Sequence, residues 1–461
     1  MRLHIANGRL IDPANGVDGP HDIYLAEGQV VAVVAAGAAL DGFQADRVLD
    51  ATGLAVLPGL VDLSARVAQP GRATGLAFAP AELRAALAGG VTRLVLPPDA
   101  ASDDALDEPG KVDTLMRQME AGQPRIHPLG AMTVGLAGET LTEMGLLAQA
   151  GCLAYAQGEH GIADTRVLWG AMRYASGLGY TLWLRPQDPW LAQGAVAASG
   201  AYAERLGLEG LPPQAETVAL NTIFELQRAT GARVHLTRLS TAPGLALLRA
   251  ARREGLAVTA DVSAHNLHLT DVDIGFFDTH FHLQPPLRGQ RDRDAIQAAL
   301  AEGLVQALCS DHTPVDKHGK AAPFPVSTPG ATALELLLSL TLKWARDHRV
   351  PLADALARVT SGPGAVLSGI SSGISSGISS GISSGNSSGN SSGTSNPAAL
   401  AGQLGVGAPA DACLVDLDAE WLVMPTALQS RSPHTPFAGM MLPGRVRATV
   451  VGGQLAWETS V

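Results

Sequence analysis

The chain has 461 residues, 46% of them hydrophobic, and 32 Lys plus Arg against 43 Asp plus Glu give a formal net charge of −11. So much apolar content excludes global disorder, and the acidic balance argues against a nucleic-acid partner, which would select a basic face. Three scattered cysteines, Cys152, Cys309 and Cys413, fit neither a disulfide framework nor a cysteine-type zinc site and point to a reducing, cytoplasmic setting. The start, MRLHIANGRLIDP, lacks the apolar stretch of a signal peptide, and no run of about 18 apolar residues suggests a membrane span.

Taken in chain order, residues 1–57 read as short strands at 3–5, 22–25, 30–34 and 54–56, separated by Gly, Asn and Asp turns. Residues 58–367 then alternate. Short apolar runs recur at 59–63, 92–96, 126–131, 152–156, 181–184, 233–237, 257–262 and 305–310, with helix-compatible stretches such as 81–88, 216–229 and 243–254 between them. Eight buried-type strands with intervening helices predict an α/β fold, a (β/α)8 TIM-like barrel. Residues 368–397 repeat Ser-Gly-rich tetrads and read as a flexible linker. Residues 398–461 return to strands, at 412–417, 444–451 and 454–457. The two strand-rich ends together predict a small β-sandwich domain beside the barrel.

In such a barrel the chemistry sits just after the strands. The first of these places reads PGLVDLSARVAQPG, residues 58–71. It resembles the first-strand motif of dihydroorotases and related amidohydrolases, Pro-Gly-x-Val-Asp-x-His-x-His-x-Arg-x-Pro-Gly. Further stretches resemble the same family: LGLEGLPPQAETVAL at 206–220, VHLTRLSTAPGLALLRAARREGLAVTADVSAHNLHLT at 234–270, QPPLR at 284–288, SDHTP at 310–314 and GAPADACLVD at 407–416. The resemblance covers nearly the whole chain outside the Gly/Ser repeat.

The family uses divalent metal to make hydroxide from water, with imidazoles and carboxylates converging on the barrel mouth. Against that pattern, Ser64 and Arg66 stand where the family has His-x-His. Gln157 takes the place of the bridging residue after strand four, and Arg185 and Arg238 take the places of the histidines after strands five and six. Only the strand-eight acid, Asp311, is kept, as a vestige. An arginine holds its proton and has no lone pair for a metal. Like unit charges about 4 Å apart repel by roughly 4 kcal/mol at an effective dielectric of 20. The substrate positions differ too: Ala68 replaces an arginine, Asp99 an asparagine, and Gln284 a second asparagine.

The remaining candidates read as structural. His265, His268, His280, His282 and His312 lie near the later strands without a recognisable ligand motif, and are expected to be structural or surface histidines. Asp311 is expected to pair with Arg66, Arg185 or Arg238 rather than to act as a general base. Glu216 reads as a helix N-terminal acid complementing the dipole, and the glycines at 71–75 as turns.

On this reading the chain has no metal and no cofactor and is not an enzyme. The resemblance implies a non-catalytic subunit that accompanies the catalytic chain of aspartate carbamoyltransferase in pyrimidine biosynthesis. It implies a cytoplasmic hetero-oligomer, with a dodecamer of six plus six chains among the forms it allows. Two alternatives stay open. One is a metal-dependent cyclic amidohydrolase with a rebuilt site. The other is a regulatory barrel whose three arginines hold an anion, with internal pairing to Asp62, Asp188 and Asp311 as the favoured competitor.

Overall fold

The computed structural model describes residues 1–68, 77–99, 105–159, 161–369 and 400–459. The Gly/Ser repeat beyond residue 369 and the glycines at 71–75 lie outside the described residues. Residues 361–369 are helical.

Strands β1 (Leu3–Asp12), β2 (Val17–Ala26), β3 (Gln29–Ala35), β4 (Arg47–Asp50) and β5 (Ala55–Pro58) open the chain. The barrel follows with β6 (Leu60–Asp62), β7 (Val91–Leu96), β8 (Arg125–Ala131), β9 (Ala154–Ala156) and β10 (Thr181–Leu184). A two-stranded pair, β11 (Ala197–Ala198) and β12 (Gly210–Leu211), interrupts it. Strands β13 (Arg233–Leu236), β14 (Val258–Ser263) and β15 (Ala307–Cys309) complete it, and β16 (Ala412–Leu422), β17 (Met441–Val451) and β18 (Gln454–Glu458) end the chain.

The eight barrel strands are parallel, in the order β6-β7-β8-β9-β10-β13-β14-β15. The seam between β15 and β6 is nearly closed by a bridge between Ala65 and His312, with Arg66 N donating to His312 O at 2.8 Å. Every residue of β6, β7, β9, β10 and β15 is buried. That is why these strands read as unbroken apolar runs: a parallel sheet covered on both faces has no solvent side to alternate with. The helices between them carry ordinary punctuation. Asp164 accepts from Arg166 N to start Thr165–Leu178, and Thr241 accepts from Gly244 N to start Ala242–Glu254. Gly179 and Gly255 end the same helices in the left-handed region.

The two chain ends form one eight-stranded sheet in the order β18-β17-β16-β5-β1-β2-β3, with β4 beside β1. Leu3, Ile5, Ile23, Val56, Leu414 and Val450 fill its core. The sheet joins the barrel at Gly59, between β5 and β6, where a Cβ would lie 2.2 Å from Thr92 Oγ1, so only glycine fits. A buried ion pair ties the same two parts together. Arg93 of β7 is 1% exposed and donates to Asp411 Oδ2 at 3.0 Å, while Asp411 Oδ1 accepts from Gly452 N at 2.8 Å.

Candidate functional site at the barrel mouth

The strand ends bring Arg66, Arg185, Arg238 and Asp311 together, as a (β/α)8 barrel requires of residues that follow its strands. Arg66 Nη2 donates to both oxygens of Asp99, at 2.9 and 3.1 Å, and to Glu159 Oε1 at 2.9 Å; its Nη1 donates to Thr313 Oγ1 at 3.1 Å. Arg238 Nη1 donates to Asp311 Oδ1 at 2.9 Å and to Gln284 O at 3.1 Å, and its Nη2 pairs with Glu159 Oε1 at 2.6 Å. Arg185 Nη1 pairs with Glu159 Oε2, and its Nη2 donates to Gln187 Oε1 at 2.8 Å. The Glu159 amide donates to Asp99 Oδ2 at 2.9 Å, which fixes Glu159 against Asp99. Three guanidiniums thus face three carboxylates, and Glu159 touches all three arginines.

This pairing is what allows the charges to be there at all. An unpaired buried ion loses several kcal/mol of hydration, and only close, well-oriented counter-charges offset it. Burial, with the neighbouring Arg238 next in importance, disfavours the Arg185 cation. Arg238 is also penalised by burial, but Asp311 beside it reverses the balance and stabilises its charge. Two of the partners sit in the left-handed backbone region, Arg238 at φ 56° and Asp311 at φ 53°. Non-glycine residues rarely hold that conformation without a compensating contact. Arg238 has one in its own amide, which donates to Asp261 Oδ1 at 2.7 Å.

Ser64 and Gln157 take no part in this network. Ser64 N donates to Asp62 Oδ1 at 3.2 Å, and Gln157 Nε2 donates to Leu136 O at 2.9 Å and to Thr133 Oγ1 at 2.8 Å. The internal pairing read from the sequence holds for Asp311, but Asp62 and Asp188 are not partners of the three arginines. Asp62 accepts from Ser310, and Asp188 accepts from the amides of Trp190 and Leu191. Asp99 and Glu159 do that work instead. Glu159 was missed because Gln157, two residues earlier, occupies the family's bridging place. The signal available was a lone acid in Gln-Gly-Glu directly after a barrel strand.

The histidines are each engaged by the protein. His265 Nδ1 pairs with Ser263 Oγ at 3.0 Å, its ring stacks on Phe437, and burial pushes it down to about 4. His268 Nε2 donates to Leu340 O at 3.0 Å, His280 Nδ1 meets Asp278 at 2.8 Å, and His282 Nδ1 meets Ser327 Oγ at 2.8 Å. His312 Nδ1 accepts from Ala333 N at 3.2 Å, so its proton lies on Nε2, 3.0 Å from Glu82. Glu216 does stand in the first turn of helix Pro213–Thr230, but it is not a solvent-facing dipole partner. It is buried and accepts from the amides and hydroxyls of Ser240 and Thr241, bracing the start of the next helix.

A divalent metal is implied by the fold, and the residues at its expected places do not fit one. Among the described residues no group of three or more His, Cys, Asp or Glu side chains is arranged to hold a metal ion. Also among the described residues, no helix is long and apolar enough to cross a membrane.

Residues 53–243 match the family model described as dihydro-orotase-like. The chain is 38% identical over 459 residues to the dihydroorotase-like protein of Pseudomonas aeruginosa, covering 99% of this chain and 100% of that one. It is 32% identical over 466 residues to the dihydroorotase of Syntrophotalea carbinolica, covering 100% of each. Among solved structures, the L-hydantoinase (dihydropyrimidinase) of Arthrobacter aurescens shares the fold at a TM-score of 0.80 and 20% identity, over 99% of this chain and 96% of that one. The expectation that the chain is not an enzyme is corrected by these relatives. A full-length relative bears the name of an enzyme, dihydroorotase, and the architecture is that of the hydantoinases. Altered residues at ligand positions do not by themselves remove activity, and the kinship runs along the whole chain. The chain belongs to the dihydroorotase-like family of amidohydrolases.

Proposed function

We propose that this chain serves pyrimidine biosynthesis as a dihydroorotase-family subunit bound to the catalytic chain of aspartate carbamoyltransferase. The observation that carries the reading is the self-satisfied mouth. Arg66, Arg185 and Arg238 are held by Asp99, Glu159 and Asp311, while barrel and sheet are kept whole around them. A barrel and sheet kept whole offer a partner outer surface and shape. A stable complex would bury upwards of about 1,000 Å². The test is to mix the two purified chains at micromolar concentration, then measure mass by light scattering together with transferase activity. A co-eluting species heavier than either chain, with altered transferase activity, is the expected result. Separate elution with unchanged activity would overturn the reading.

A second reading, cyclic-amide chemistry at a rebuilt mouth, is favoured by the relatives named dihydroorotase. Its base would be Asp311, whose Oδ1 accepts from Arg238 Nη1 at 2.9 Å. Dihydroorotate turnover by the chain, alone and in the mixture, that disappears in Asp311→Asn would support it. Turnover unaffected by that change would count against a role for this carboxylate.

A further inference from the structure

The six charged groups of the mouth are not equivalent. Asp99 and Asp311 each pair with one arginine, whereas the Glu159 carboxylate takes contacts from Arg66, Arg185 and Arg238 together. Glu159 is also the most exposed of the three acids, with 22% of its side chain accessible against 13% for Asp99 and 6% for Asp311. Its loop follows the short strand β9, and its side chain reaches inward to sit where three guanidinium forks converge. Arg238 is 5% exposed, and among the described residues its Nε has no hydrogen-bond partner, so the arginines offer more donors than Glu159 uses. Beside Arg185 and Gln187 lies a cavity of about 160 Å³, also lined by His282 and Gln284. At about 30 Å³ per water it has room for a ligand of a few heavy atoms.

We propose that the mouth is a carboxylate-binding site in which Glu159 is the resident occupant, and that a small free carboxylate can take its place on Arg66, Arg185 and Arg238. The exchange conserves charge, since one carboxylate replaces another. It also conserves geometry, because guanidinium forks match carboxylates in general rather than glutamate in particular. The consequence is a Glu159 side chain released in proportion to ligand: when the free anion binds, Glu159 loses its three ion pairs while its amide contact to Asp99 and the Gln157 contacts to Leu136 and Thr133 remain. This goes beyond association with a carbamoyltransferase and stands or falls separately, because its readout needs the isolated chain alone.

Chemical rescue tests it. Glu159→Ala leaves three arginines facing two acids and should lower the thermal midpoint in chloride buffer. Sodium acetate at the same ionic strength should restore much of that loss saturably, binding the variant about tenfold tighter than the parent chain, whose site is internally filled. Adding Arg185→Gln should abolish the rescue. If Glu159→Ala does not fold, Glu159→Gln, which keeps shape and loses charge, is titrated with acetate by calorimetry and should show the same gain. Equal midpoints in acetate and chloride, or no calorimetric gain, would overturn the proposal. So would rescue that survives the loss of Arg185, since the anion would then bind elsewhere.

Discussion

Arg66, Arg185, Arg238 and Asp311 could be placed at the mouth from sequence alone, because each directly follows an apolar run that had to be a barrel strand. Which acid met which base could not. Asp62 and Asp188 lie equally close to those strands in sequence, but their oxygens are taken by neighbouring backbone amides, with Ser310 Oγ also on Asp62. Pairing is decided by where loops from different strands cross, and that information is not local. Arg238→Met should destabilise the chain by about 3 kcal/mol, because Asp311 and Glu159 would each lose a buried partner. The measurement is the urea midpoint of the variant against the parent. A second expectation concerns pH. Burial pushes the Glu335 carboxyl up to about 7 from its ordinary 4.5. A folded value above the unfolded one stabilises fully below about pH 4.5, and that contribution is lost as pH rises through about 7. Glu335→Gln, which can still accept from Gln429 N, removes the dependence. Its stability relative to the parent should therefore rise between about pH 5 and pH 8, by at most about 3 kcal/mol. A relative stability that stays flat across that range would show that the carboxyl does not titrate there.

At the scale of elements, the barrel strands were legible to within a few residues, since burial on both faces writes itself as a continuous apolar run. The terminal sheet was half legible. Its long strands β1, β2, β16 and β17 alternate or contain clear apolar runs, but β4 was missed because only Leu49 of its four residues is buried. Nothing in a strand's own pattern says which strands it pairs with, so the order β18-β17-β16-β5-β1-β2-β3 could not be read from the sequence. Arg93 and Asp411 are one of the ties between sheet and barrel, beside the hydrogen bonds from Thr449 Oγ1 to Leu87 O and from Ser339 Oγ to Gly444 O. Arg93→Met should cost about 2 kcal/mol and be suppressed in part by Asp411→Asn, as Asp411 would lose its closer, buried partner and retain Arg125 at 3.6 Å. A double-mutant cycle on unfolding free energy checks it; additive effects would show that the pair is not coupled. Removing residues 370–394 is expected to leave the fold intact. Low-complexity Gly/Ser sequence buries little, and closure entropy changes by only about 0.6 kcal/mol per doubling of loop length. A large fall in thermal midpoint would contradict that.

For the whole molecule, the sequence gives a barrel with an altered mouth, and kinship along the entire chain places it among proteins named dihydroorotase and dihydroorotase-like. Arg66, Arg185 and Arg238 serve Asp99, Glu159 and Asp311, at places where the family resemblance implies metal ligands. Three arginines repel a dication, and each is satisfied by a carboxylate that a metal would otherwise compete for. Restoring a single ligand, as in Arg238→His, is not expected to recruit zinc while Arg66 and Arg185 remain. The most direct measurement is elemental analysis of the parent chain purified without chelator and then dialysed against zinc. Zinc is expected at well below one equivalent per chain. One or more equivalents tightly retained, and lost on substitution of Asp311, would contradict it.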